Sequence, residues 1–224
     1  NGNTVLTSTD ATYYTDTKDV FFKKYVHLTD PENDIKADSL RYNTVRKEAY
    51  FIAPTTIKSK DGSTIKTKNG IYNLETGQAE FFDRTSVTDS NYSVTGGRLA
   101  YDKKTGILQV QDRGKIVDSA NKVIMIGDEL YLNQKEKTFL GTRKPVMIIY
   151  RDNDSTYVTA DTLFSGVRKY DTATNKTVIK NDTLNKTALV EAGAKQDKIR
   201  YFLAFHHVNI FNDSLQAVSD RLYY

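Results

Sequence analysis

Apolar and polar residues alternate along much of the chain, in short segments that end at polar turns. Residues 64–68 (Thr-Ile-Lys-Thr-Lys) show the period-two pattern of a half-buried strand. Residues 123–132 form a longer apolar segment that ends at the polar turn 133–136. Such links between alternating segments are typical of β-hairpins. Because no long segment sustains a helical period, the pattern predicts an all-β protein.

Two short sequence elements recur about every 30 residues, a spacing typical of repeat proteins. The first has the form Asp-x-Leu-x-Tyr, with its clearest copy at residues 38–42, and its copies begin at Asp10, Asp38, Lys68, Gly97, Asp128, Asp161 and Asp220. The second is a pair of apolar residues six positions apart: Phe22/Leu28, Phe51/Ile57, Phe81/Val87, Val110/Ile116, Leu140/Val146 and Phe202/Val208. The spacing within each unit is nearly constant, whereas the connections between units vary in length. This pattern indicates packed repeats joined by loops that tolerate insertions.

A non-alternating patch separates the two members of most apolar pairs. These patches lie at residues 52–55, 82–85, 111–114 and 141–145, and two of them contain Pro54 and Pro145. Because proline cannot donate to a sheet ladder, the patches predict bulges or bends. One bend per unit would let each strand turn a corner between two facing sheets. We therefore expect an elongated, twisted β-jelly roll, or stacked antiparallel sandwich, built from two-strand repeats.

The spacing predicts one repeat array over residues 1–224. It is interrupted at residues 168–197, where a polar segment rich in Thr, Asn and Lys lengthens one unit. We expect this segment to be an insertion in a hairpin turn. The chain starts and stops within a unit, so we also expect open strands at both ends and a piece of a longer array.

Composition narrows the class of protein. The chain has 224 residues, no cysteine, 15 Tyr, 10 Phe and a net charge of +4. Lack of cysteine excludes a disulfide framework and thiolate chemistry. No apolar segment approaches the roughly 18–20 residues of a membrane-spanning helix. The composition fits an exported protein of the periplasm or cell envelope whose leader is not in this chain.

The residues do not favour catalysis or a metal site. The histidines are His27, His206 and His207, and two neighbours in a regular strand would point to opposite faces. The recurring Asp is present too often for a catalytic group, so we expect it to hydrogen-bond at strand entries or turns. No phosphate-binding loop is present, and acidic residues interleave with the basic ones, which disfavours nucleic acid. We predict no cofactor and no enzymatic activity.

Several segments resemble a known family. Residues 49–57, 69–81, 99–106 and 215–222 are similar to OstA-like proteins of Bacteroidetes, in the OstA/LptA superfamily of periplasmic β-jelly-roll modules of lipopolysaccharide transport. The resemblance covers most of the chain outside 168–197. It implies a slot between two sheets that shelters acyl chains, and end-to-end joining of modules by strand pairing. It brings no catalytic motif.

Equivalent apolar positions are the candidate lipid-binding residues. They are Phe51, Ile57, Phe81, Val87, Val110, Ile116, Tyr42, Tyr72 and Tyr101. From the residues alone a closed core is the favoured interpretation, whereas the resemblance favours a slot. Basic clusters, such as Lys103-Lys104 and Arg143-Lys144, could protect exposed strands or pair with lipid phosphates at a slot rim.

The expected function is therefore transport or binding of lipopolysaccharide, or a related amphipathic glycolipid, by a protein peripheral to the membrane. The alternative is a structural or adhesive envelope repeat protein that binds protein partners through sheet faces and edges.

Overall fold

The computed structural model describes residues 4–151, 154–170 and 197–224. Within these ranges the chain forms 20 strands, which antiparallel hydrogen bonds join into one continuous network. The first ten are β1 (Val5–Thr7), β2 (Asp10–Tyr14), β3 (Asp19–Thr29), β4 (Asn33–Asn43), β5 (Glu48–Phe51), β6 (Thr55–Ser59), β7 (Thr64–Thr67), β8 (Gly70–Asn73), β9 (Gln78–Phe81) and β10 (Thr85–Thr88). The others are β11 (Tyr92–Gly96), β12 (Arg98–Asp102), β13 (Ile107–Asp118), β14 (Val123–Asn133), β15 (Thr138–Thr142), β16 (Val146–Arg151), β17 (Asp154–Thr159), β18 (Thr162–Tyr170), β19 (Asp197–Phe211) and β20 (Gln216–Tyr223).

The all-β prediction is confirmed, since no helix occurs in the described ranges. Accordingly, that part of the chain contains no helix with the length and apolar character needed to cross a bilayer.

The strand pairing defines two sheets within this network. Sheet 1 contains β2, β5, β8, β9, β12, β15 and β18, and sheet 2 contains β1, β6, β7, β10, β11, β16 and β17. The long strands β3, β4, β13, β14, β19 and β20 run through both sheets. Each chain passage therefore turns one corner between the sheets, as the interrupted alternation predicts.

The corners have a characteristic backbone conformation. The register shifts between Lys23 and Val26, between Gln111 and Gly114, and between Phe205 and Val208. Two consecutive non-glycine residues with positive φ lie in each shift: Lys24/Tyr25, Asp112/Arg113 and His206/His207. Such bulges bend a strand and increase its twist. The predicted bulges at residues 111–114 and the bends at 52–55, 82–85 and 141–145 are found where the pattern placed them.

The core lies between the two sheets. It is one continuous cluster of buried apolar side chains that extends from Val26 to Val208. Phe51 and Phe81 stack within sheet 1 with ring centroids 6.3 Å apart. Tyr92 of sheet 2 meets Phe139 of sheet 1 edge-on, with centroids 5.3 Å apart, so the two sheets are in direct contact.

One predicted apolar pair is out of register. Leu140 lies opposite Tyr131 and is only half-buried, whereas Gly141 lies opposite the buried Leu130. The inward pair equivalent to Phe51/Ile57 is therefore Gly141/Met147, not Leu140/Val146. A side chain at Gly141 would meet Pro145 and the Met125 sulfur, which fill its place.

The predicted insertion is shorter than 168–197. β18 extends to Tyr170 and β19 begins at Asp197, so the ends of the predicted segment are paired strand. The remainder, residues 171–196, lies outside the described residues, and its expected role as a turn insertion stays a prediction. The assignment of residues 1–224 to a single array likewise stays a prediction.

Candidate functional site

The hairpin turns form two rims along the edge opposite the corners. Rim 1 consists of the sheet 1 turns at residues 44–47, 74–77, 103–106 and 134–137. Each follows an Asn or Asp whose Oδ1 accepts backbone N–H groups two and three residues later: Asn43, Asn73, Asp102 and Asn133. Side-chain capping of this kind is why these residues favour turns. The rim geometry is therefore determined by local sequence.

Rim 2 consists of the sheet 2 turns at residues 30–32, 60–63, 89–91, 119–122 and 212–215. Capping side chains start or stabilise these turns as well: Asp30, Asp61, Asp89, Asp118 and Asn212. Because both rims are held by local hydrogen bonds, the spacing between them depends on the side chains that cross the interior.

An apolar cavity of about 110 Å³ lies between the rims in the N-terminal half of the molecule. Sheet 1 supplies residues from β8, β9, β12 and β13, and sheet 2 supplies residues from β6, β7 and β10. The apolar part of the lining consists of Ile57, Ile65, Tyr72, Ala79, Phe81, Val87, Tyr101 and Leu108. Polar residues surround its opening: Glu32, Asn33, Ser59, Lys60, Asp61, Ser63, Lys103 and Gln134. We call this opening the mouth.

Tyr72 links the two sheets inside the mouth. The Asn33 side-chain amide donates to the Tyr72 hydroxyl at 2.9 Å, and Ser59 Oγ donates to Asn33 Oδ1 at 2.8 Å. Burial, together with the nearby Asp30 carboxylate, raises the pKa of Tyr72 to about 12. Burial also raises the pKa of Tyr101. Both phenols therefore stay neutral at ordinary pH, and the mouth presents aromatic rings with uncharged hydroxyls.

One ion pair crosses the mouth at its surface. Lys103 Nζ on rim 1 lies 3.5 Å from Glu32 Oε2 on rim 2. The two side chains are 51% and 59% exposed. Exposed pairs contribute about 0–1 kcal/mol, so this contact holds the rims together only weakly.

The structure brings together five of the nine predicted residues. Ile57, Phe81, Val87, Tyr72 and Tyr101 line the cavity. Phe51, Val110 and Ile116 are buried in the core, and Tyr42 is partly buried against it, but none of these four is in the cavity lining. Binding of lipid by any of the nine stays a prediction.

Sequence reasoning missed several cavity residues. Ile65, Ala79 and Leu108 line it beside the predicted ones. Ile65 could have been found from the alternation of residues 64–68. The Asn33–Tyr72 hydrogen bond could not, because it joins different sheets and depends on how they pack.

None of the three histidines is in the lining of the mouth. His206 and His207 sit in a corner bulge rather than in a regular strand. Their Nδ1 atoms contact different carboxylates, His206 with Asp220 at 3.1 Å and His207 with Asp161 at 2.8 Å. Within the described ranges, no group of three or more His, Asp or Glu side chains could hold a metal ion.

The recurring Asp residues at positions 10, 128, 161 and 220 form hydrogen bonds or ion pairs with residues of the corner bulges. Asp128 Oδ1 accepts the Arg113 N–H at 3.2 Å, and Asp10 pairs with Lys24 at 2.9 Å. Asp161 and Asp220 contact the two corner histidines. These contacts agree with the structural role expected for the repeated carboxylate.

Part of the chain is similar to a known protein family. Residues 1–97 match the family model described as OstA-like protein. No curated protein matches the chain. Among solved structures, one similar fold is LptH, the LptA homologous periplasmic component of the conserved lipopolysaccharide transport device from Pseudomonas aeruginosa. It is 10% identical with a TM-score of 0.47, over 51% of this chain and 93% of that chain, a similarity too low to support a function.

Proposed function

We propose, from the premise that residues 1–97 are OstA-like, that this chain is a non-catalytic glycolipid-binding module of the periplasm or cell envelope. Its ligand would be lipopolysaccharide or a related amphipathic glycolipid on its way to the outer membrane. The acyl chains would lie between the two sheets, with the head group at the rims.

The amphipathic mouth is the observation that carries this proposal. Its floor is apolar and formed by both sheets, while charged residues surround the opening. Burying an acyl chain contributes about 0.8 kcal/mol per methylene. Lys60 and Lys103 lie at the opening, and lysine ammonium groups are suitable donors to lipid phosphates.

The volume of the cavity requires the mouth to widen. At about 110 Å³ it is smaller than the roughly 150 Å³ cavity that accommodates one benzene. A full acyl chain must therefore separate the rims or displace side chains. The exposed Lys103–Glu32 pair offers little resistance to such separation.

Photo-crosslinking tests the proposal. A photoreactive side chain at Ile57 or Val87 should crosslink to purified lipopolysaccharide, because both residues line the cavity from sheet 2. Phe51 and Val110 are matched buried controls outside the lining and should crosslink less. Lys66 and Glu80 are exposed on the outer faces and should not crosslink. Equal labelling at all six positions, in variants that melt cooperatively, would contradict a slot.

Strand edges support a second role, in assembly. Among the described strands β20 pairs only with β19, and Val218 on β20 is 81% exposed. An unpaired edge can accept another strand, so further jelly-roll modules could join here end to end. The structural or adhesive alternative would use the same edge for protein partners. A single-cysteine Val218→Cys variant should form a dimer or a mixed disulfide with a second module if the edge is used. Failure to do so, with the module at high concentration, would contradict edge pairing.

A further inference from the structure

A buried arginine crosses the interior beyond the mouth. Arg200 on β19 of sheet 1 reaches Asp118, the last residue of β13 in sheet 2, with Nη2 3.0 Å from Oδ2. Its Nη1 donates to Ser165 Oγ of sheet 1 at 2.8 Å. The two charged side chains are only 6% and 1% exposed. Unlike Lys103–Glu32, this ion pair is shielded from water.

Aromatic rings surround the arginine. Its guanidinium carbon lies 4.9 Å from the centre of the Phe139 ring, and Tyr92 packs edge-on against the same ring. Burial raises the pKa of Tyr92, and the positive charge of Arg200 partly offsets the rise. These contacts join sheet 1 to sheet 2 across the interior. We call Arg200, Asp118, Ser165, Tyr92 and Phe139 the clasp.

The clasp lies between two cavities. The mouth lies on the N-terminal side of the clasp. Residues of β8 to β13 line it in sheet 1, and residues of β6 to β10 line it in sheet 2. A second apolar cavity of about 400 Å³ lies on its C-terminal side. Met147, Val158 and Ile210 of sheet 2 and Phe202 and Leu222 of sheet 1 line this second cavity. In the order of strand pairing, Phe139 and Ser165 of sheet 1 and Tyr92 and Asp118 of sheet 2 fall between the two linings, and Arg200 lies on β19, which also carries Phe202 of the second lining.

The chemistry of the clasp is unusual for a purely structural contact. The Arg200 Nε–H is buried and has no acceptor among the described residues. Well-packed apolar residues often stabilise a core as well as a buried ion pair does, without leaving a donor unsatisfied. Asp118 is also held in place by the rim turn, since Asn121 donates to both of its oxygens. The pair is therefore a fixed, charged obstacle between two apolar cavities.

We propose that the Arg200–Asp118 clasp is a barrier that separates the two cavities and stops an acyl chain that enters at the mouth. This inference rests on the proposed function, because it assumes that acyl chains enter between the sheets. A hydrocarbon chain cannot replace the hydrogen bonds of the arginine, so it passes only when the pair opens. Passage between the cavities is then limited by the clasp, while entry at the mouth is not.

A tethered chain tests the barrier without knowledge of the natural ligand. The protein has no cysteine, so Gln134→Cys at the mouth gives a unique attachment point. The introduced thiol is alkylated with reagents that carry saturated hydrocarbon chains of increasing length, each ending in a diazirine. After irradiation, labelled peptides are mapped by mass spectrometry. With the clasp intact, chain ends should label Val87 and Leu108 in the mouth but not Met147, which is fully buried on the far side.

The matched variant removes both charges in the same Gln134→Cys background. Arg200→Met with Asp118→Asn keeps similar shapes and the turn-capping oxygen, and Met147 labelling by the longest chains should rise about tenfold if the open state is normally a minor one. Arg200→Lys keeps the charge but replaces the planar fork, whose two nitrogens reach Ser165 and Asp118, with a single nitrogen. It serves as a second variant and should give a smaller rise. Cooperative melting establishes that each variant is folded.

The outcomes separate the two proposals. Met147 labelling with the clasp intact, or no rise in either folded variant, would overturn the barrier while leaving the slot in place. Absence of labelling at both Val87 and Leu108 would instead contradict the proposed function, since the chain would then lie outside the sheets.

Discussion

Among the described residues, two ion pairs cross the space between the sheets, and they differ mainly in burial. Lys103–Glu32 spans the mouth at the surface, with both side chains about half exposed. Arg200–Asp118 spans the interior beyond it and is almost completely buried. Water weakens the first pair and competes with it for hydrogen bonds, whereas the second pair has no water to replace its partners. The same kind of contact can therefore mark a region that opens readily and one that resists opening.

Breaking one partner of the buried pair should have the largest effect on stability. Arg200→Met leaves the Asp118 charge uncompensated and should lower the free energy of unfolding by about 3–5 kcal/mol. The double variant Arg200→Met/Asp118→Asn should recover much of this loss, because no charge is left unpaired. Urea unfolding followed by tyrosine fluorescence would measure both, as the chain has no tryptophan. A double variant no more stable than the single one would mean that Arg200 acts through its packing rather than its charge.

Tyr72 tests how well the mouth excludes water. Its folded pKa of about 12 lies above the ordinary value of 10.0. Its contribution to stability is therefore complete below pH 10 and is lost as pH rises from about 10 to about 12. Other buried tyrosines titrate in this range too, so Tyr72→Phe is the comparison. The wild-type protein should lose more stability than Tyr72→Phe between these pH values. Parallel pH profiles would show that the mouth is already solvated in the folded protein.

The exposed pair at the mouth should have the smallest effect. In a double-mutant cycle with Lys103→Ala and Glu32→Ala, the coupling energy should be about 0–1 kcal/mol and should shrink as salt is added. Chemical denaturation at low and high salt would measure it. A coupling comparable to that of Arg200 and Asp118 would remove the contrast between the two regions.

Much of the fold could be predicted from the sequence, because local patterns determine it. Period-two alternation, polar turn segments and the non-alternating patches with Pro54 and Pro145 predicted strands, turns and bends in the right order. The inward-facing residue of a strand could not be identified where apolar side chains lie on both faces of that strand. Phe139-Leu140 and Val146-Met147 each offer two adjacent apolar residues, and Gly141 conceals the inward position between them.

Five of the eight apolar residues that line the mouth could be predicted from repeat position. Ile57, Phe81 and Val87 hold equivalent repeat positions, and the structure places all three in the mouth. The same rule also selected Phe51 and Val110, which the structure places in closed core, because repeat position does not reveal where the sheets separate. Arg200 carries no repeat signal, and Asp118 recurs only as one of the rim 2 turn caps, with Asp30, Asp61 and Asp89. The pairing of Arg200 with Asp118 depends on how a strand end of one sheet meets the other sheet, which is a property of packing.

The distance between the rims, measured with and without lipopolysaccharide, tests the central claim most directly. Spin labels at Lys60→Cys and Lys104→Cys report on the mouth. Labels at Ala120→Cys and at Thr138→Cys, which adjoins Phe139, report on the rims near the clasp. All four positions belong to rim turns or border them. We predict that lipopolysaccharide lengthens the distance across the mouth and leaves the distance near the clasp unchanged. An unchanged mouth distance in the presence of bound lipopolysaccharide would contradict an acyl chain between the sheets.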